Sequence, residues 1–485
     1  MTQQTPVLVG MSHLEQRFID FDSAKEPIEL MIEAVKQAAQ DAGSSALLQA
    51  SSVRVIKGLW PYQDPARAVA EAIGCANAES VMSPFGGNFV QAVLNQSALD
   101  IQSGQHDIIV LTGAECGNTQ AKAAKAGQDL GWAELPGTPD RLIGVDKDMR
   151  HDAEIAIRLG RPIQIYPIME VALRHAAGRS VEAHLDHISN IWAGFSSVAA
   201  ENPNAWIREA KSPEEIRTIS DANRPVSFPY PKLMNSNNGV DQAAALILVS
   251  EEKAKALGLA REKWIYPWAG TDAQDHYYFS NRDNFHSSPA IRFAGGKCLE
   301  LCGMTADDID MVDVYSCFPS AVQIACQELG IDTNRQLTVT GGLTFAGGPL
   351  NNYVMHSITR MAQLLRENPG RRGMITANGG YITKHAFGIY SGEAPEKPFQ
   401  HANLQDQVDA TLKREVVIGH EGKGEVEGYS VMYGPEGVTK AFVAARLDDG
   451  RRAWGISQDE ALLKNMTEEE YCGRQVSLAD HVATF

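Results

Sequence analysis

Gly86-Gly87-Asn88-Phe89-Val90-Gln91-Ala92-Val93 opens a helix-patterned run that reaches Ser103, and the apolar strand Ile108 to Gly113 follows it. The same order returns about 260 residues on. There Gly347-Gly348-Pro349 opens a run to Glu367, and Met374 to Gly379 is the strand. Further landmarks precede each glycine pair. An Ala-rich helix closing at Asp41-Ala42-Gly43 matches one closing at Leu301-Cys302-Gly303. The β-branched segment Val53-Arg54-Val55-Ile56 matches Val312-Asp313-Val314-Tyr315, and the helix end Ala72-Ile73-Gly74 matches Glu328-Leu329-Gly330. Landmarks kept in one order at nearly constant spacing indicate a duplicated unit. Strands alternating with helices of roughly 10 to 18 residues predict parallel sheets with right-handed crossovers, so two α/β halves pack as layers around shared central helices.

Working outward, the first half occupies 1–250 and the second 251–393. A polar insertion at about 117–225 interrupts the first half; Glu154 to Leu159 and Ser180 to Phe195 within it carry helical periodicity. It is expected to form a lid or loop domain over the site. Residues 394–409, polar and Pro-containing, read as a linker. Over 410–485 the texture changes to alternating segments, Glu425 to Tyr433 and Thr439 to Leu447. The turns Gly434-Pro435-Glu436-Gly437 and Asp448-Asp449-Gly450 separate them. Short strands with tight turns predict a small barrel-like β module.

The chain has 485 residues and a formal net charge of −17. An acidic surface argues against general nucleic-acid or anionic-membrane binding, and an anionic ligand needs a local basic patch. No apolar run reaches the roughly 18 residues that span a bilayer. The start shows no basic leader before an apolar stretch, so a cytoplasmic chain is expected. Seven cysteines lie far apart, which predicts neither a disulfide framework nor a zinc site. No metal is expected.

These landmarks resemble the thiolase superfamily, in particular the sterol-carrier-type thiolases and thiolase-like proteins. Gln91-Ala92-Val93 through Ile109-Val110-Leu111 to Glu115 is similar to the family's nucleophile helix and following strand. Tyr315-Ser316-Cys317-Phe318 resembles its His-Asp-Cys-Phe box, Gly341-Gly342 through Gly347-Gly348-Pro349 its Gly-His-Pro box, and Ala377-Asn378-Gly379-Gly380 its Cys-x-Gly box. The tail from about 410 resembles the OB-fold module beside or fused to some thiolase-like proteins. The resemblance implies a duplicated thiolase fold layered α/β/α/β/α. It also implies coenzyme A or acyl-CoA as substrate or ligand, with no permanently bound cofactor. Monomer and homodimer both stay open: the resemblance implies pairing through the sheet of the first half, a surface that an appended module could cover.

The departures matter as much. A thiolase uses a cysteine thiolate whose pKa a helix N-terminus lowers. By the resemblance that position is Gly86, the activating histidine falls on Gly348, the second cysteine on Ala377, and the oxyanion-orienting Asn or His on Tyr315. No cysteine lies between Cys75 and Cys116. Without a thiolate the usual covalent acyl-enzyme is unavailable. The backbone remains: Gly86, Gly87, Gly348 and Gly379 are expected to present N–H groups to a thioester carbonyl.

Candidate side chains are Tyr315, Cys317, Tyr381 and His385, with Asn235 and Asn378 lining the substrate. Lys384 and His385 alternate along a strand, so at most one faces the site. His356 reads as structural, His276 and His286 as bordering the pocket, and His184 and His187 as surface residues. Lys122, Lys125, Arg141, Arg150, Arg174 and Arg208 are the cations available to coenzyme A. Three functions follow. One is acyl transfer or carbon–carbon bond chemistry on an acyl-CoA thioester without a cysteine nucleophile. The second is retro-aldol cleavage of a β-hydroxyacyl-CoA. The third is non-catalytic acyl-CoA binding or assembly.

Overall fold

A computed structural model of the chain describes residues 4–485. The first half runs β1 (Pro6–Glu15), α1 (Pro27–Ala42), β2 (Ser52–Val55), α2 (Pro65–Ile73), β3 (Glu79–Met82), α3 (Phe89–Gln102) and β4 (Ile108–Cys116). The insertion follows as α4 (Gly117–Ala126), β5 (Arg141–Leu142), α5 (Asp152–Ala156), α6 (Pro162–Ala176), α7 (Val181–Glu201), α8 (Pro213–Arg217), β6 (Pro225–Phe228) and β7 (Tyr230–Pro231). Then β8 (Asp241–Ser250) returns to the core and α9 (Glu251–Ala256) leads out. The second half runs β9 (Tyr266–Gln274), α10 (Pro289–Leu301), β10 (Met311–Asp313), α11 (Pro319–Leu329), α12 (Gly342–Phe345), α13 (Tyr353–Glu367), β11 (Arg372–Gly379), β12 (Lys384–Ser391), β13 (Gln400–Asn403) and α14 (Gln405–Asp409).

The duplication is written in the sheets. The first is ordered β1-β8-β4-β2-β3-β5, the second β13-β9-β12-β11-β10. β1, β8, β4 and β2 correspond to β9, β12, β11 and β10. In each quartet the first two junctions are antiparallel and the third parallel. The sheets are therefore mixed, not parallel throughout as helix–strand alternation predicts. The short turn from Gly379 to Lys384 leaves no room for a crossover, so β12 must return antiparallel to β11. Gly43 and Gly303, the paired glycines of the repeat, both sit at positive φ (80° and 67°) just past α1 and α10, a backbone state glycine adopts without a Cβ penalty.

α3 and α13 lie between the two sheets and touch strands of both, while α1 covers the outer face of the first sheet and α10 that of the second. A helix buried on most of its surface needs its inward polar groups satisfied. On α3, Gln91 Nε2 donates to Asn95 Oδ1 at 2.8 Å, and Tyr390 Oη donates to Gln91 Oε1 at 2.8 Å.

The C-terminal module comprises β14 (Val416–Val417), β15 (Gly422–Gly434), β16 (Gly437–Arg446), β17 (Arg452–Ser457), α15 (Glu460–Met466), β18 (Gln475–Ala479) and β19 (Val482–Thr484). Pairings run β15-β16-β17-β19-β18 and back to β15, a closed small barrel. Its core takes Val426, Val431, Val443 and Leu463. Two features of its attachment differ from expectation. The supposed linker at 394–409 contains β13, which pairs with β9 and completes the second sheet; an edge strand there satisfies backbone groups that β9 would otherwise expose. The end of the insertion is stitched to the barrel, since β6 pairs Phe228 with Val431 of β15. Fully buried Arg452 adds a clamp, bonding Glu427 Oε2 at 2.7 Å and the carbonyl oxygens of Ser280 and Arg282 at 2.6 Å each. No helix among the described residues is long and apolar enough to cross a membrane.

Candidate functional site

A cavity of about 500 Å3 opens where the carboxyl ends of β10 and β11 face the start of α3, the usual ligand position in α/β sheets. Gly86 and Gly87 enter from the turn before α3, and Tyr315, Cys317 and Phe318 follow β10. Asn378 to Tyr381 close β11, and Tyr166 and Asn235 come from the insertion and the approach to β8.

Tyr315 is fixed by its backbone. Its N–H donates to Thr376 Oγ1 at 2.9 Å, and its ring sits edge-on to Tyr353 at 5.6 Å. Two residues earlier, Asp313 anchors β10 to α13 by accepting from Tyr353 Oη at 3.0 Å and Ser357 Oγ at 2.8 Å. The Tyr315 hydroxyl itself has no hydrogen-bond partner among the described residues. It lies 2.5 Å from the point a Cβ on Gly87 would occupy, and Asn378 O lies 2.6 Å from that point. Glycine at 87 is therefore what admits the phenol. The Gly87 N–H is also without a partner among the described residues, and it lies 3.2 Å from where a Cβ on Gly379 would sit. Burial pushes the Tyr315 phenol well above the ordinary tyrosine range, so it is a neutral donor at physiological pH.

The opposite wall is built from residues the sequence did not single out. Tyr166 on α6 stacks on Phe318 at 4.4 Å and receives a bond from Asn378 Nδ2 at 3.1 Å. One turn on, fully buried Glu170 accepts from His184 Nε2 at 2.5 Å, from Gln323 Nε2 at 2.6 Å and from the Tyr230 hydroxyl. Burial would raise the Glu170 carboxyl, but the His184, Tyr230 and Gln323 contacts together outweigh it and hold the pKa low. His184 is thus interior, not on the surface as its helical spacing suggests, because it supplies the donor this buried carboxylate requires. Tyr166 and Glu170, four residues apart on one helix face, are the signal that was available. Cys317 does face the cavity, with Sγ 3.7 Å from Asn378 Nδ2. Burial pushes its pKa up to about 12, so it is a thiol and not a thiolate.

The family model of the thiolase-like protein type 1 additional C-terminal domain matches residues 403–481. Across 98% of this chain and 97% of the other, the structure is similar to the crystal structure of a monomeric SCP2-thiolase-like protein type 1 from Mycobacterium smegmatis, with a TM-score of 0.82 and 29% identity. The chain belongs to the thiolase-like superfamily. Sequence relatives cover less of the chain. A 3-ketoacyl-CoA thiolase from Pseudoalteromonas atlantica is 25% identical over 60% of this chain and 72% of its own length. An acetyl-CoA acetyltransferase from Schizosaccharomyces pombe is 27% identical over 38% of this chain, and the match spans 45% of that enzyme.

Set against the superfamily's catalytic boxes, the remaining expected residues divide. Gly348 is not at the cavity. Its N–H donates to Asn237 O at 2.9 Å, and α13 begins only at Tyr353, after a short 3-10 turn over Leu350–Asn352. The backbone leaves the helical region there, with Pro349 at ψ 61° and Leu350 at positive φ (44°), so the helix start expected at Gly348 is interrupted. Gly379, not Gly348, approaches Gly87 from across the cavity, and Gly380 lines the cavity after it. Tyr381 lines the cavity, but its hydroxyl is committed to Gly160 O at 2.6 Å. His385 turns away, into a one-water-sized hollow behind Tyr315, with Nε2 3.9 Å from Asp275 Oδ2. Burial lowers its pKa to about 4.

Lys384 takes the other face of the strand, and its Nζ donates to Phe85 O at 2.7 Å beside the Gly86-Gly87 turn. Asn235 and Asn378 line the cavity, and each leaves its Oδ1 buried without a hydrogen-bond partner among the described residues. His276 bonds Leu412 O at 3.0 Å and supports the junction with the C-terminal module instead of the pocket. His356 packs against His13 at 4.1 Å in the core.

Of the expected cations, Arg141 is tied to Asp100 at 3.0 Å and Arg174 to Tyr429 at 3.0 Å. Lys122 lies over the Phe18 ring at 4.1 Å. Arg150 borders the cavity at Gly160, paired with Asp148 at 3.1 Å. Arg158 and Arg161 were missed; both are exposed and flank Gly160 and Pro162 at the rim.

Proposed function

We propose that this cavity holds the thioester end of an acyl-CoA and that the protein acts on the adjoining carbon–carbon or acyl bond without a cysteine nucleophile. One observation carries the reading: the Tyr315 hydroxyl, unpartnered and neutral, stands against a glycine whose N–H is also free. In such a site the free Gly87 N–H polarises the carbonyl, and Tyr315 donates to oxygen charge as it develops. Because the raised pKa keeps Tyr315 protonated, the phenol serves as a hydrogen-bond donor to enolate or alkoxide oxygen and has no phenolate to act as a base. Unpaired Asn235 and Asn378 oxygens suit the amide N–H groups of the pantetheine arm. Arg150, Arg158 and Arg161 suit its phosphates as the local basic patch an acidic chain needs. The closed C-terminal ring, with α15 between its third and fourth strands, suits an OB-like module. The Mycobacterium smegmatis neighbour is described as monomeric, which favours a monomer here. The predicted setting is the cytoplasm and lipid metabolism.

The test is a panel of acyl-, β-ketoacyl- and β-hydroxyacyl-CoA esters, with binding followed by calorimetry and products by mass spectrometry. Released aldehyde or ketone identifies retro-aldol cleavage, and acyl exchange with an added acceptor identifies transfer. Saturable binding without turnover identifies a binder. No binding by any ester rejects the reading. Arg158→Ala with Arg161→Ala is expected to weaken coenzyme A by about tenfold, more at low salt.

A further inference from the structure

Lys384 has an environment that no part of the fold explains. The residue is 2% exposed, yet it has no carboxylate within ion-pair reach among the described residues. Buried lysines are ordinarily paired, because an isolated ammonium loses its hydration without compensation. Here the single hydrogen bond goes to Phe85 O at 2.7 Å, and the Phe89 ring lies 5.4 Å away. Across the sheet Lys384 faces Gly379 on one side and Gln274 on the other, neither charged. Burial lowers its pKa to about 8, opposed only by the field of exposed Asp146. A desolvated amine of this kind is a nucleophile at neutral pH.

The amine is also next to the cavity. A Cβ on Gly86 would sit 3.1 Å from Nζ, and one on Gly380 would sit 3.6 Å from Lys384 Cε. Both glycines line the cavity. Glycine at both positions puts no side chain of its own between the amine and the cavity. We infer that Lys384 is a carbonyl-capturing amine of this cavity, forming an imine with the β-keto carbon of a bound β-ketoacyl thioester. This rests on the reading of the cavity as an acyl-thioester site. The Nζ lone pair attacks the ketone carbon and a C–N bond forms. The carbonyl oxygen leaves as water with both amine hydrogens, and the thioester is untouched. The resulting C=N withdraws electrons from the carbon between ketone and thioester, where bond-making or bond-breaking would occur.

The test uses the full chain, acetoacetyl-CoA and sodium cyanoborohydride, with peptide mass spectrometry. A reduced secondary-amine adduct on Lys384, absent from Lys384→Arg, is expected. Calorimetric binding of acetoacetyl-CoA with no adduct at Lys384 overturns the inference and leaves the cavity reading standing. If no ester binds, the cavity reading fails, and trace acetylation of the wild-type protein by acetic anhydride at pH 6 to 10 decides the amine. Labelling at pH 7.5 about tenfold or more above exposed lysines, with a midpoint near 8, supports a free reactive amine. Lys384 unlabelled while exposed lysines react overturns it.

Discussion

Replacing Tyr315 by Phe separates function from stability in a way the geometry dictates. The lost hydroxyl makes no hydrogen bond among the described residues, so its removal breaks none. Tyr230→Phe is the control. Its hydroxyl bonds the Glu170 carboxylate, bonds Ser320 Oγ at 3.0 Å and receives the Ser320 N–H at 3.3 Å. Removing a hydrogen bond to a buried charge costs about 2 to 3 kcal/mol, whereas removing an unpaired buried hydroxyl costs about zero. At about 1 °C per kcal/mol for a chain of 485 residues, Tyr230→Phe is expected to melt about 2 to 3 °C below wild type and Tyr315→Phe within about 0.5 °C. Loss of a donor aimed at developing oxygen charge lowers kcat by about a hundredfold. Differential scanning calorimetry and turnover of the preferred ester, measured on both variants, check this. A Tyr315→Phe protein that melts about 2 °C or more low means its hydroxyl has a partner, and one that turns over at the wild-type rate ends its assignment.

Gly87→Ala places a methyl 2.5 Å from Tyr315 Oη and 2.6 Å from Asn378 O. A melting loss corresponding to about 2 to 3 kcal/mol is expected, and Gly87→Ala/Tyr315→Phe recovers only part of it because the carbonyl clash remains. Cys317, held as a thiol, is expected to alkylate with iodoacetamide at pH 7.5 at least about a hundredfold slower than an ordinary cysteine; fast labelling would contradict its burial. His385 stays neutral in the fold down to about pH 4 but protonates near 6.5 when unfolded. Its share of stability is complete above 6.5 and is lost as pH falls toward 4, by up to about 3 kcal/mol. Melting temperatures of His385→Gln and wild type are expected to converge over that window, and parallel curves would reject the assignment.

Local chemistry made much of this chain legible. The glycine pairs, the β-branched segments and the helix-closing glycines repeat because each half must build the same strand–helix units, and those preferences reside in neighbouring residues. Tyr315 at the end of β10 and Asn378 with Gly379 at the end of β11 were readable for that reason. What lay beyond reach was set by contacts between distant segments. Alternation placed Lys384 and His385 on opposite faces, but only packing of the Gly86 turn against one face and Asp275 against the other decided which met the cavity. The Gly348 N–H looked free until Asn237, more than a hundred residues earlier, took it. His184 looked exposed until Glu170 came within 2.5 Å. Periodicity assigns a residue to a face; burial and hydrogen-bond partners depend on what the folded chain brings against that face, and those terms decide which groups stay available for chemistry.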